Sequence, residues 1–144
     1  MNLKRYLIAT FALFVFIFLY EWLVHDIILM GMYKDTQNVW RDFSEMNAQL
    51  PLGMCVQFVL SAWAAFAFSK LYKDGGIKNG LRFGLFFGVF GAILTSSWYL
   101  WLPVPLKLGM SWFINGIVEG LGGGYILGLV YRMKQIIRID KFNH

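Results

Sequence analysis

Glu21 and His25 stand four residues apart in an otherwise apolar stretch, so a helix would set a carboxylate and an imidazole on one face. Asn115 and Glu119 repeat that spacing far along the chain, Gln57 stands early in another apolar stretch, and Thr95, Ser96 and Ser97 stand late in a fourth. Three kinds of chemistry fit these residues. One is a structural hydrogen-bond cluster, with Glu119 protonated or bonded to Asn115, Gln57 or His25. Another is a proton or cation site, because a carboxyl group in hydrocarbon is costly without a partner or a wet cavity. The third is a zinc or iron site built from Glu21, His25 and Glu119. That set is thin, with one histidine and neither a His-x-x-His nor a His-Glu-x-x-His motif. No Walker loop or dinucleotide fingerprint occurs, and Ser96 and Ser97 lack a histidine with which to build a hydrolytic triad. Cys55 stands alone, which excludes an internal disulfide and reads as a small apolar packing residue.

The elements that must position these groups are membrane spans. Among 144 residues, 58% are hydrophobic and only 15% charged, against about 25% in ordinary soluble domains. That length suits one domain, residues 1–144, which could not hide so much apolar surface from water. Four apolar stretches, about 6–30, 52–72, 81–102 and 108–131, each approach the ~20 residues that a bilayer-crossing helix needs. Helices satisfy their own backbone in lipid, and no strand alternation is visible. The expected fold is therefore an all-α integral membrane bundle of four helices. The start, Met1 to Arg5 before an apolar run, imitates a signal peptide. The run is too long and lacks a small-x-small cleavage site, so it reads as a retained first span.

Charge sets the direction. Lys4, Arg5, Lys70, Lys73, Lys78, Arg82, Arg132, Lys134, Arg138 and Lys141 fall on one side of the four spans, and only Lys34, Arg41 and Lys107 on the other. The first side is expected in the cytoplasm, with both termini there. This arrangement also explains the net charge of +5 without nucleic acid. Trp98, Tyr99, Trp101 and Trp112 gather at the outer boundary, with Tyr6, Tyr72 and Tyr131 at the inner one. Asp74-Gly75-Gly76 reads as a tight inner turn, and Pro103 and Pro105 end the third span. In the first outer loop Val39, Trp40, Phe43 and Met46 recur at helical spacing, which predicts a short interfacial helix within 34–49. The basic tail, 132–144, is expected to lie along the inner leaflet in the same way.

Span four carries Gly116, Gly120, Gly124 and Gly128 at steps of four. Span three carries Gly80, Gly84, Gly88, Ala92 and Ser96 at the same step, and span two Gly53, Gln57, Ser61, Ala65 and Ser69. Such rails of small residues let helix backbones approach closely, within one chain or between copies. A shift of 59 residues lays Ser61, Ala65, Ser69, Tyr72 and Lys73 on Gly120, Gly124, Gly128, Tyr131 and Arg132, which suggests two repeated hairpins. Depth adds to the picture. Glu119 falls roughly 15 Å below the outer end of its span and Glu21 roughly 6 Å below its own. Gln57 and Ser96 share that outer half, so converging faces would make a polar chamber open outward.

The run Trp22 to Leu29 with Tyr33 and Trp40-Arg41, the turn Gly76 to Leu85, and the closing Gly128 to Arg132 resemble an uncharacterised family of small bacterial four-span inner-membrane proteins. The resemblance covers nearly the whole chain. It implies the four-span architecture and a bacterial inner membrane, marks His25 as the family-like histidine, and transfers no catalytic residue.

Three functions follow as expectations. The leading one is an accessory, assembly or scaffold subunit, in a homo-oligomer or a larger membrane complex, acting through the small-residue rails. The alternative is a small oligomeric transporter or channel whose outer polar site is Glu21, His25 and Glu119. The third is a membrane enzyme holding a metal or a quinone. No cofactor is specified by the residues themselves.

Overall fold

The structure, a computed structural model, describes residues 2–140, with side chains described through Arg132. Lys134 and Arg138 of the basic tail have no described side chain, and Lys141 and His144 lie outside the described residues; of the tail, the backbone through Asp140 is described and is helical. Every described element is helical. Helix α1 (Leu3–Glu21) runs straight into a π-helical segment, Trp22–Ile28, and a short α2 follows (Met30–Asp35). After a 3-10 turn at Gln37–Val39 come α3 (Phe43–Leu71), α4 (Ile77–Ser96) and α5 (Leu106–Asp140). The stretches Leu3–Ile28, Phe43–Leu71, Ile77–Leu100 and Leu106–Arg132 are long and apolar enough to cross a membrane. Four such helices suggest a multi-pass membrane protein.

Local sequence sets the ends of these helices. The Asn2 side chain accepts the Arg5 N–H at 3.2 Å and caps α1. Gly75 and Gly76, at φ 61° and 91°, turn the chain between α3 and α4 where a side chain would be strained. Gly75 is packed so closely that an added Cβ would meet the Tyr131 Cβ at 2.8 Å. The Asn79 amide donates to the Gly75 carbonyl at 2.9 Å and locks that turn.

The predicted interfacial helix within 34–49 is corrected. Trp40 has extended backbone, and Phe43 and Met46 belong to the first turns of α3, which runs unbroken through Pro51. The four apolar positions therefore split between two elements. Trp40 turns inward, whereas Phe43 stays exposed.

Two hairpins make the bundle. In one, α4 lies along α5 backbone to backbone: a Cβ at Gly88 would sit 2.9 Å from the Gly116 carbonyl oxygen, and one at Gly84 would collide with that of Gly120. The other hairpin joins α1 to α3 at Ala9, Ser61 and Ala65, all fully buried, with the Gln57 amide donating to the Phe14 carbonyl at 3.1 Å. In a bilayer, where lipid is as apolar as these side chains, close packing rather than water exclusion would hold the helices together. Two buried clusters close the ends of the bundle. Phe68, Phe83, Leu13 and Leu127 form one, where the Phe68 and Phe83 rings meet edge to face at 5.4 Å. Such a pair contributes about 0.5–1.5 kcal/mol beyond its area. Val24, Leu29, Val104, Leu108 and Trp112 form the other, at the end where α1 leaves and α5 begins.

Candidate functional site

Between the two clusters lies a cavity of about 820 Å³. Its walls are mostly apolar: Leu13 and Ile17 of α1, Leu60, Trp63 and Ala64 of α3, and Phe83 and Phe87 of α4. Glycines of α4 and α5 complete the lining, and among them only Gly91 would carry a Cβ that meets nothing within 4 Å. The described ring contacts between α3 and α4 are Phe68 and Tyr72 against Phe83, near one end. Further along, Leu60, Trp63, Phe87 and Trp98 line the cavity and are also exposed. The cavity therefore opens sideways, between α3 and α4.

Its polar end begins with the π-helical segment. Wider turns are frequent at functional sites, and here the Leu29 N–H reaches back five residues to the Val24 carbonyl at 2.8 Å. Val24, His25 and Leu29 face inward, while Trp22, Leu23, Ile27 and Ile28 stay exposed. His25 Nε2 lies 2.9 Å from Glu21 Oε2, and its Nδ1 lies 2.6 Å from the Tyr33 hydroxyl. The Trp112 indole N–H donates to that hydroxyl at 2.7 Å, and the Asn115 amide donates to Glu21 Oε1 at 2.9 Å.

Tyr33 lies outside the spans, and its hydroxyl is pushed up to about 12, chiefly by burial. Glu21 and Asp26 push the same way, and the Trp112 N–H pulls the other. The phenol is thus a donor at any ordinary pH. Its oxygen accepts the Trp112 N–H and lies within hydrogen-bond reach of His25 Nδ1. Glu21 accepts from the Asn115 amide and pairs with His25 Nε2. The imidazole is thus held between a phenol and a carboxylate, one partner on each ring nitrogen.

Aromatic rings brace this chain. The His25 and Tyr33 rings stack at 5.6 Å, Trp40 stands on edge to Tyr33 at 5.3 Å, and to Trp112 at 6.2 Å. The Trp40 indole N–H donates to Thr36 Oγ1 at 2.9 Å, and that hydroxyl donates to the Met32 carbonyl at 2.9 Å. A loop of the first connection is thereby held over the cavity's end.

Glu119 lies one helical turn beyond Asn115, lines the cavity, and is near enough to feel the charges of Glu21 and His25. Its carboxylate makes no hydrogen bond or ion pair among the described residues. Asn115 Oδ1 is buried and also unmatched. Among the described residues no group of three His, Cys, Asp or Glu side chains is placed to hold a metal ion, so Glu21, His25 and Glu119 do not converge as one ligand set.

Four of the six polar residues expected together share the cavity: Glu21, His25, Asn115 and Glu119. Gln57 is spent on the α1 backbone, and Ser96 donates to the Ile93 carbonyl at 3.3 Å in its own helix. Thr95 lines the wall in its place. Tyr33, Trp40 and Trp112 join the site, although the sequence pointed to Trp112 only as a boundary anchor and to Trp40 as part of an interfacial helix. The chain matches no protein-family model, no curated protein and no solved structure.

Proposed function

We propose that this is a four-span membrane protein, with both termini on the lysine- and arginine-rich side of a bacterial inner membrane, that binds a membrane-dissolved amphipathic molecule between its helices. The observation that carries this reading is an 820 Å³ apolar cavity with a sideways opening, lined toward one end by the unpaired Glu119 carboxylate. An apolar tail would enter between α3 and α4 directly from lipid. The head would meet the Glu119 carboxylate, with Glu21 and His25 beside it. Among the described residues no lysine or arginine lines the cavity, so the fitting head donates hydrogen bonds or carries positive charge, as an amine does. Ring packing of Phe68, Tyr72 and Phe83 at one end speaks against an open pore and for occlusion. The assembly-subunit reading loses its main support, because the rails of α4 and α5 are spent on each other. A quinone head, which mainly accepts hydrogen bonds, suits an unpaired carboxylate poorly.

Dodecylamine, dodecanol and dodecanoate would be titrated into the purified protein in a non-ionic detergent, with tryptophan fluorescence as the readout. Dodecylamine should saturate at one per chain and bind roughly tenfold tighter than dodecanoate, about 1.4 kcal/mol. Glu119→Gln should erase that preference while leaving the fold intact. Non-saturable binding, or a preference indifferent to Glu119→Gln, would sink the proposal.

A further inference from the structure

A second cavity, of about 410 Å³, lies at the opposite end of the bundle, where α1 starts and α3 ends. Arg5, Lys70 and Lys73 line it, together with Asn2, Ser69, Tyr72 and Tyr131, and among the described residues no carboxylate does. Neither Arg5, Lys70 nor Lys73 forms an ion pair with any described carboxylate. Elsewhere in the chain such pairing does occur, as Arg41 with Glu45 at 3.7 Å. Three cations converging on one recess without a counter-charge repel one another and favour an anion between them. The first turn of α1 adds to this field with the positive end of its helix dipole. The Asn2 Oδ1 is occupied by the Arg5 N–H, which leaves the amide hydrogens as donors. Tyr72 and Tyr131 complete the lining with their phenol groups.

We propose that this recess binds a phosphate group, the head of an anionic membrane lipid whose tails lie along the bundle. Three cations with amide donors match phosphate oxygens, and Arg5 offers the planar fork that suits them. A soluble phosphate ester shares that chemistry, and the two sources separate by experiment. The site is independent of the large cavity, since no residue lines both.

The test uses the full chain in a non-ionic detergent. Short-chain phosphatidylglycerol and inorganic phosphate are titrated separately, with bound adducts counted by native mass spectrometry and affinity followed by thermal shift. Phosphatidylglycerol should bind saturably at one per chain. Arg5→Gln with Lys73→Gln should weaken it roughly tenfold. Lys78→Gln with Arg82→Gln, which removes the same charge outside the recess, should change it little. If Arg5→Gln fails to fold, Lys70→Gln with Lys73→Gln serves instead, because both side chains are exposed. Inorganic phosphate saturating with the same variant pattern would keep the phosphate site and make its source soluble. Equal loss in both variant pairs, or binding that never saturates, would reduce the effect to diffuse charge and overturn the proposal.

Discussion

Tyr33 receives the indole N–H of Trp112 at 2.7 Å, across 79 positions of sequence. One hydroxyl thus joins the first connection to α5 and, through His25, to α1. Tyr33→Phe would strand two groups, the Trp112 N–H and His25 Nδ1. The expected cost is about 1–3 kcal/mol in unfolding measured in detergent. Trp112→Phe should cost a similar amount plus lost packing. The double variant should cost less than the sum, because each change removes the same bond.

Rigid spacing between α4 and α5 leads to a second expectation. Gly84→Ala would drive a methyl group into the Gly120 carbonyl, so the helices must separate, at about 3 kcal/mol or more. Gly53→Ala meets nothing within 4 Å and should stabilise α3 by roughly 0.5–1 kcal/mol. Thermal unfolding of the two variants should move in opposite directions. Equal shifts would show that the close approach is absent.

Filling the large cavity should be cheap for the fold and costly for binding. Gly91 lines the cavity, and a Cβ there meets nothing within 4 Å. Gly91→Leu should leave the unfolding midpoint within a few degrees and abolish saturable dodecylamine binding. Retained binding would place the ligand elsewhere.

The Tyr33 hydroxyl gives a pH dependence of known sign. Its value in the fold, about 12, lies above the ordinary 10.0, so the folded chain holds that proton more tightly than the unfolded one. Its contribution is therefore fully present below pH 10 and is lost as pH rises toward 12. Unfolding midpoints between pH 10 and pH 12 should fall less steeply for Tyr33→Phe than for the parent chain. Identical slopes would contradict the buried, neutral phenol.

Much of this was legible in the residue order, and the rest was not, for physical reasons. The spans follow from hydropathy, which needs no partner. The Glu21 and His25 contact follows from a four-residue step, which a helix turn guarantees. Asn115 was legible as a polar residue in an apolar run, but its partner Glu21 lies 94 positions away, a tertiary fact. The π-helical turns after Glu21 have no local signature. Tyr33, Trp40 and Trp112 carry the same types as lipid-boundary anchors, so only their meeting around His25 distinguishes them. The rails showed close approach but not with whom, since a glycine face fits a neighbour in its own chain or in another copy equally well. At Val39 to Met46 the apolar spacing misled, because the backbone extends at Trp40 and restarts as a helix after Asp42.

The glycine contact between α4 and α5 also bears on compliance. Backbone lying on backbone has no rotamers to reshuffle, so that hairpin behaves as a stiff jaw. Opposite it, α3 reaches α4 through ring edges, which can slide. Any change in the width of the large cavity therefore falls on α3, and a spin-label pair spanning Trp63 and Phe87 would register it as a change in distance.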